Sequence, residues 1–218
     1  MASEQNSSFW RRVSKYSPFV VFAGALGGYL LTYARHVTLV DSGELITASA
    51  MLGVAHPPGF PLYTLLGYLF SKLPLGSVAS RVTLMSAFWA AVASAVVVLI
   101  VAELLLALPS PPEPISKKRQ RQPLPAYLDS LIPLAAGLLF AFSATLWYYA
   151  SVAEVYTLNA ALLSTVVLLM LRWRRLILAK QLRAARIHML LAAGVYGLGL
   201  AVHHVTILLT LPAIARKI

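Results

Sequence analysis

Five long apolar stretches dominate this sequence and constrain what it can fold into. They cover residues 18–33, 82–108, 127–149, 155–171 and 187–214. The chain is 59% hydrophobic and only 11% charged, with a mean hydropathy of +0.77. Too few polar side chains are present to cover a soluble core, whereas a helix that crosses a bilayer needs about 20 mostly apolar residues. We therefore predict an all-α, multi-span integral membrane protein.

A further apolar stretch, residues 60–73, has only about half the length that a helix needs to cross roughly 30 Å of hydrocarbon. The prolines at positions 57, 58 and 61 also favour a broken, re-entrant or interfacial segment. If this segment does not cross, 13 of the 18 lysines and arginines fall on one side. The positive-inside rule makes that side cytoplasmic. The prediction is five full spans with a cytoplasmic N-terminus.

This topology divides the chain into a cytoplasmic tail, residues 1–17, and a single transmembrane domain, residues 18–214. Within the domain, residues 37–81 are predicted to be extracytoplasmic or re-entrant, and residues 109–125 and 172–186 to be basic cytoplasmic loops. Because the basic residues lie in short runs beside apolar spans, we interpret the net charge of +11 as topology and membrane-lipid contact, not nucleic-acid binding. The absence of cysteine excludes disulfides, thiolate metal sites and cysteine nucleophiles.

The scarce acidic residues are the most informative polar side chains. The chain has seven of them, and Asp41 and Glu44 lie three positions apart directly after the first span. An aspartate followed by a glutamate at this spacing is typical of a capping box, which satisfies the free amides at a helix start. A carboxylate near the membrane surface can also act as a general base for an acceptor hydroxyl. Both functions, and the binding of a divalent metal ion by the pair, are compatible with the sequence.

Other polar candidates are expected on the same outer face. His56 precedes three turn-forming residues, which form either a simple rigid turn or a frame that holds the histidine beside a phosphate. Glu154 lies between two spans, either as a solvated turn residue or as part of a site, and the aromatic residues around it fit an interfacial belt. His203 and His204 lie in the last span, where ionisable groups usually face a cavity. Adjacent helical side chains point about 100° apart, so we expect at most one of them to face a site.

These motifs, in this order, resemble the N-terminal region of a large membrane family. It is the GT-C glycosyltransferase family that includes a transmembrane protein O-mannosyltransferase and its bacterial relatives. The resemblance covers residues 20–212, and its motifs are 41–44 (DSGE), 52–63 (LGVAHPPGFPLY), 81–86 (RVTLMS), 153–159 (AEVYTLN) and 197–204 (GLGLAVHH). It implies a GT-C-like N-terminal helical bundle in the bacterial inner membrane or, in a eukaryote, in the endoplasmic reticulum, with the motif face extracytoplasmic.

The resemblance also implies a reaction. Such an enzyme transfers a sugar from a polyprenyl-phosphate donor to an acceptor hydroxyl on the extracytoplasmic side. Asp41 matches the position of the catalytic base, and Glu44 lies beside it. The residues expected to stabilise the phosphate or to shape the site are His56, Arg35, Arg81, Glu154 and His204. Apart from the lipid-linked sugar, no cofactor is implied with certainty, and a divalent metal ion stays an open alternative.

A second function class is compatible with the same resemblance. A shortened relative that no longer catalyses would serve as a structural accessory subunit of a larger membrane complex. The length of 218 residues favours this class, because GT-C enzymes normally use more helices to enclose donor and acceptor. The acidic residues favour the enzyme, because a scaffold has no evident need for carboxylates that are costly near a membrane.

Overall fold

The computed structural model describes residues 2–107 and 126–208, and these residues form helices and connecting loops without any strand. The predicted all-α class is confirmed. The predicted basic loop 109–125 and residues 209–214 of the last predicted span lie outside the described residues. The described helices, in chain order, are α1 (Ala2–Thr32), α2 (Ser42–Met51), α3 (Pro61–Ser71), α4 (Val78–Leu106), α5 (Ala126–Ala141), α6 (Ala144–Ala150), α7 (Tyr156–Leu178) and α8 (Leu182–Leu208).

Two of the described helices are long and apolar enough to cross a membrane, α4 and the Leu182–His204 part of α8. Helices α5 and α6 meet the same test together, as one span bent by 60°, which gives up to three. The protein is therefore an integral membrane protein by length and composition, but the predicted count of five full spans is not confirmed.

Beside the basic segments, helices extend further than predicted. Helix α1 begins at Ala2 and continues through Pro18, although apolar character alone predicted a start at Pro18. The basic stretch 172–186 was predicted as a loop, yet residues 172–178 complete α7 and residues 182–186 begin α8. Arginine and lysine are good helix formers, so loss of hydrophobicity marks the end of an apolar span without marking the end of its helix.

The short apolar segment forms α3, whose 11 residues span roughly 16 Å, about half the hydrocarbon thickness. The prediction that this segment is too short to cross as a helix is confirmed. Arg81 of α4 fixes the turn that follows α3, because its guanidinium donates hydrogen bonds to the carbonyls of Ser71 (2.7 Å), Leu75 (2.5 Å) and Gly76 (2.8 Å).

Helix α1 supports the bent pair α5–α6. The buried hydroxyl of Tyr29 donates a 2.6 Å hydrogen bond to the carbonyl of Ala141, at the end of α5 where helical carbonyls lack partners. The ring of Trp147 on α6 packs edge-on against Tyr29 with a centroid distance of 5.7 Å. Its indole Nε1–H also donates to the hydroxyl of Thr32 at 3.0 Å. The bend is therefore held in place by specific contacts with α1.

The end of α1 is tied to the start of α4 and to the end of α6. The amide of Ala34 donates to the carbonyl of Ser151 at 2.8 Å, and the hydroxyl of Ser77 donates to the carbonyl of Arg35 at 2.8 Å. As a consequence, the loop that leads from α1 to α2 and the loop that leads from α6 to α7 lie together at the N-terminal end of α4.

Candidate active site at one end of the helical bundle

A cavity of about 350 Å³ opens where these loops meet. The start of α2, the loop before α3, the start of α7 and the last part of α8 supply its walls. The lining residues are Asp41, Leu45, His56, Pro57, Pro58, Phe60, Glu154, Val155, Tyr156, His203 and His204. Segments far apart in the sequence thus bring most of their candidate ionisable side chains to one place, as the predicted topology required.

Asp41 occupies the N-cap position of α2, but its side chain makes no capping hydrogen bond among the described residues. Its backbone carbonyl accepts the first hydrogen bond of the helix, from the amide of Leu45 at 2.9 Å. Val40, just before it, has a φ of 68°, which is rare for a β-branched residue and turns the chain sharply into α2. The capping-box alternative is therefore wrong for the Asp41 side chain, which is exposed at the cavity.

Glu44 does not fold back onto the helix start, as a capping box would require. One carboxylate oxygen accepts a 2.5 Å hydrogen bond from the backbone amide of His56, and the other lies 3.0 Å from His56 Nδ1. The side-chain hydrogen bond to Glu44 raises the pKa of His56, and the same contact lowers the pKa of Glu44. Glu44 therefore lies behind His56, outside the cavity lining, where it holds the histidine in place and favours its protonated form.

Glu154 lies in the loop between α6 and α7 with only 7% of its surface exposed. Its backbone is fixed by the hydroxyl of Ser86 on α4, which accepts from the Glu154 amide at 3.2 Å and donates to the Glu154 carbonyl at 3.3 Å. Burial raises the pKa of Glu154, and the negative charge of Asp41 raises it further. The cavity thus holds one exposed carboxyl group and one buried carboxyl group that retains its proton more readily.

Both histidines of α8 border the cavity, which corrects the prediction that at most one would face it. The physical reason is a break in the helix, since His203 has non-helical backbone angles (φ −152°, ψ 83°). The regular separation of about 100° between neighbours therefore does not apply. Non-helical backbone within an apolar helix is tolerated where it lines a cavity.

Two predicted phosphate contacts lie elsewhere. Arg81 donates to the carbonyls of the α3–α4 turn and shapes that turn. Arg35 is exposed and its backbone accepts from Ser77. Neither arginine lines the cavity. Two aromatic lining residues, Phe60 and Tyr156, were not among the candidates. Phe60 was counted only as part of the short apolar stretch 60–73, and the aromatic residues around Glu154 were interpreted as an interfacial belt.

The chemistry of three residues fits a divalent cation. Asp41, Glu44 and His56 each offer a ligand atom, and these atoms all lie within 4.8 Å of one another. The 3.0 Å between His56 Nδ1 and the Glu44 oxygen is also the separation of two neighbouring ligands at about 2.1 Å from one octahedral ion. A bound cation would take the place of the hydrogen bond between the His56 ring and the Glu44 carboxylate.

Comparison with known proteins identifies the family. The sequence model described as "Protein O-mannosyl-transferase TMEM260 N-terminal domain" matches residues 41–218. The chain is 35% identical over 173 residues to the protein O-mannosyl-transferase TMEM260 of Mus musculus, a match that covers 79% of this chain and 22% of the mouse protein. It is 32% identical over 137 residues to the corresponding Dictyostelium discoideum protein, covering 60% of this chain and 14% of that protein.

No solved structure matches the chain. The chain spans less than a quarter of the length of either relative, and the match includes the whole of the DSGE, HPPG and AEVY motifs that build the cavity. Because the sequence model covers most of the chain, this protein belongs to the family of the protein O-mannosyl-transferase TMEM260 N-terminal domain.

Proposed function

We propose that the chain is a GT-C type glycosyltransferase, or the N-terminal module of one, that transfers mannose from a polyprenyl-phosphate donor to an acceptor hydroxyl outside the cytoplasm. The observation that carries the proposal is the cavity itself, where Asp41, His56 and Glu154 lie together. The exposed carboxylate can act as a base, the histidine can supply positive charge when protonated, and the buried carboxyl group can donate a hydrogen bond. The names of the relatives supply the choice of mannose.

In the proposed reaction, Asp41 accepts the proton of the acceptor hydroxyl while that oxygen attacks the anomeric carbon of the sugar. The bond between this carbon and the phosphate oxygen breaks, and polyprenyl phosphate departs with the bonding electrons. His56, whose protonated form Glu44 favours, stabilises the negative charge that develops on the phosphate. Glu154 in its neutral form donates a hydrogen bond that orients the donor.

The proposal includes the topology of five full spans, with the N-terminus in the cytoplasm and the cavity facing outward. Helices α1 and α7, which pack against α4, supply the two spans beyond α4, α8 and the bent pair. Support comes from the buried Glu103 near the end of α4, roughly 26 Å along the helix from Ser86. Glu103 pairs with Arg172 and Arg175 of α7, so the basic end of α7 lies far from the cavity. The positive-inside rule places such a basic end in the cytoplasm.

The test is transfer of radiolabelled mannose from polyprenyl-phosphate mannose by membranes that contain the full chain. We expect Asp41→Asn to abolish transfer, because the amide cannot accept the proton. Asp129→Asn is the matched control, because Asp129 is an exposed aspartate on α5 outside the cavity lining. Equal activity of the Asp41 and Asp129 variants would refute the role of Asp41. Absence of transfer by the unaltered chain, together with co-purification of other membrane subunits, would favour the structural accessory subunit.

A further inference from the structure

We infer that Tyr156, backed by His203, forms the surface on which the sugar ring of the donor stacks. This inference rests on the proposed function and adds the residue that recognises the sugar, as distinct from the phosphate or the lipid. Its basis is a row of aromatic rings along the cavity that the proposed chemistry does not use.

Neighbouring rings of this row are stacked or tilted against one another. Phe60 stacks on His203 with centroids 6.3 Å apart and an interplanar angle of 23°. His203 lies 5.9 Å from Tyr156 at 39°, and Tyr156 lies 4.5 Å from Tyr149 at 48°. Three of these four residues, Phe60, His203 and Tyr156, line the cavity.

Two ring pairs between the helices of the bundle meet nearly at right angles, whereas a third, Phe70 with Phe88, meets at 51°. Phe22 and Phe88 meet at 82°, and Tyr29 and Trp147 meet at 88°. Edge-to-face contact is favourable for two packed rings because the positive edge of one meets the negative face of the other. The three pairs of the cavity row meet at 23–48° and are therefore not packed edge to face, although His56 and Phe60 beside them meet at 78°.

Tyr156 is the accessible member of the row. It is 41% exposed, whereas Phe60 is 5% exposed. One face of a pyranose ring carries C–H groups whose slight positive charge is attracted by an aromatic face, and its edge carries hydroxyl groups. The same cavity offers the Tyr156 ring for the C–H face and Asp41, His56 and Glu154 for the polar groups. This mixture of one apolar surface and a few polar groups is typical of small-molecule sites.

The size of the cavity supports a sugar and not a lipid chain as its occupant. A volume of about 350 Å³ is near the lower limit of pockets that enclose a small molecule, roughly 300–1,000 Å³. It therefore suits the sugar-phosphate head group, with the polyprenyl chain outside. Tyr156 begins α7 and follows Glu154 by two residues, and the hydroxyl of Ser86 holds the backbone of Glu154.

The experiment compares the binding of two lipids to the purified full chain, polyprenyl-phosphate mannose and polyprenyl phosphate without the sugar. Tyr156→Leu keeps apolar volume and removes the aromatic face, while Tyr156→Phe keeps the face. We expect Tyr156→Leu to weaken binding of the mannosyl lipid about five- to tenfold, the worth of one aromatic contact, without changing the affinity for polyprenyl phosphate. Tyr156→Phe should bind both lipids as the unaltered chain does. Tyr148→Leu is the control, because Tyr148 is 55% exposed beside the same row and outside the cavity lining.

Each result separates the alternatives. Equal weakening for both lipids would overturn the inference in favour of a structural role, and loss in Tyr156→Phe would overturn it in favour of a hydroxyl contact. If the unaltered chain binds the two lipids with equal affinity, the inference of a stacking surface is refuted but the proposed function is not. Failure to bind either lipid would refute the proposed function and this inference with it. If Tyr156→Leu does not accumulate in membranes, His203→Leu takes its place, with the same expected selectivity for the mannosyl lipid.

Discussion

The ion cluster between α4 and α7 makes a sharp prediction about stability, because its members differ in burial. The Glu103 side chain is 7% exposed, while the side chains of Arg172 and Arg175 are 35% and 49% exposed. Arg175 donates to both carboxylate oxygens of Glu103, and Arg172 Nε lies 3.7 Å from one of them. Removing the cations and removing the anion therefore leave very different groups behind.

Replacing both arginines by methionine strands a buried carboxylate. A buried charge that loses its partner costs about 3–5 kcal/mol. Glu103→Gln instead leaves two guanidinium groups that are already partly exposed, and such half-exposed pairs contribute about 1 kcal/mol or less. In heat unfolding of the detergent-solubilised chain, we expect Tm to fall by about 6 °C or more for the double arginine variant and by about 2–4 °C for Glu103→Gln.

A third variant completes the cycle. Adding Glu103→Gln to the double methionine variant removes the stranded charge, so this triple variant should be more stable than the double variant. Such a reversal is the signature of coupling between contacting groups. If Glu103→Gln costs as much as the double arginine variant, or if the triple variant is the least stable, then burial does not decide the energetics of this cluster and the reasoning fails.

Further predictions concern the site and the packing beneath it. Because the hydrogen bond to Glu44 raises the pKa of His56, Glu44→Gln should move the alkaline limb of the pH–rate profile for mannose transfer to lower pH; an unchanged limb would contradict the role of the pair. At Gly67, an added Cβ would lie 2.3 Å from Ser49 Oγ and 2.7 Å from Ser49 Cβ. Gly67→Ala should therefore lower Tm by several degrees through overpacking. Gly24→Ala is the control and should not lower Tm, because no atom lies within 4 Å of its added Cβ. Equal effects of the two substitutions would show that α2 and α3 separate easily.

The apolar stretches predicted the existence of the long helices, because helix formation inside a membrane follows from the need to satisfy backbone groups. The meeting of Asp41, His56 and Glu154 could also be predicted, because topology assigned all three to one face. Both predictions depend on which segments are apolar, and the sequence shows this directly.

Details that depend on local backbone geometry could not be predicted in this way. The spacing of Asp41 and Glu44 fits a capping box, yet the loop before α3 brings His56 to Glu44 and offers the carboxylate a better partner. The break at His203 has neither proline nor glycine to mark it, and it turns both α8 histidines to the cavity. Arg81 was predicted to contact the phosphate, but its guanidinium donates to carbonyls of the turn that follows α3.

The two carboxyl groups of the cavity, those of Asp41 and Glu154, should differ in the protonation state that the reaction requires. Burial and the charge of Asp41 raise the pKa of Glu154, so Glu154 is the group suited to donate a hydrogen bond, while the exposed Asp41 is the group suited to accept a proton. A neutral amide imitates a protonated carboxyl group and cannot imitate a base. Glu154→Gln should therefore retain much of the mannose transfer that Asp41→Asn abolishes. If the reaction requires neutral Glu154, the rate of mannose transfer falls as the pH rises through the raised pKa of Glu154. The loss of rate that is caused by ionisation of Glu154 should therefore be absent in Glu154→Gln. Complete inactivity of Glu154→Gln at every pH, in chain that still binds polyprenyl-phosphate mannose, would mean that Glu154 acts as an ion and that the assignment of the two protons must be reversed.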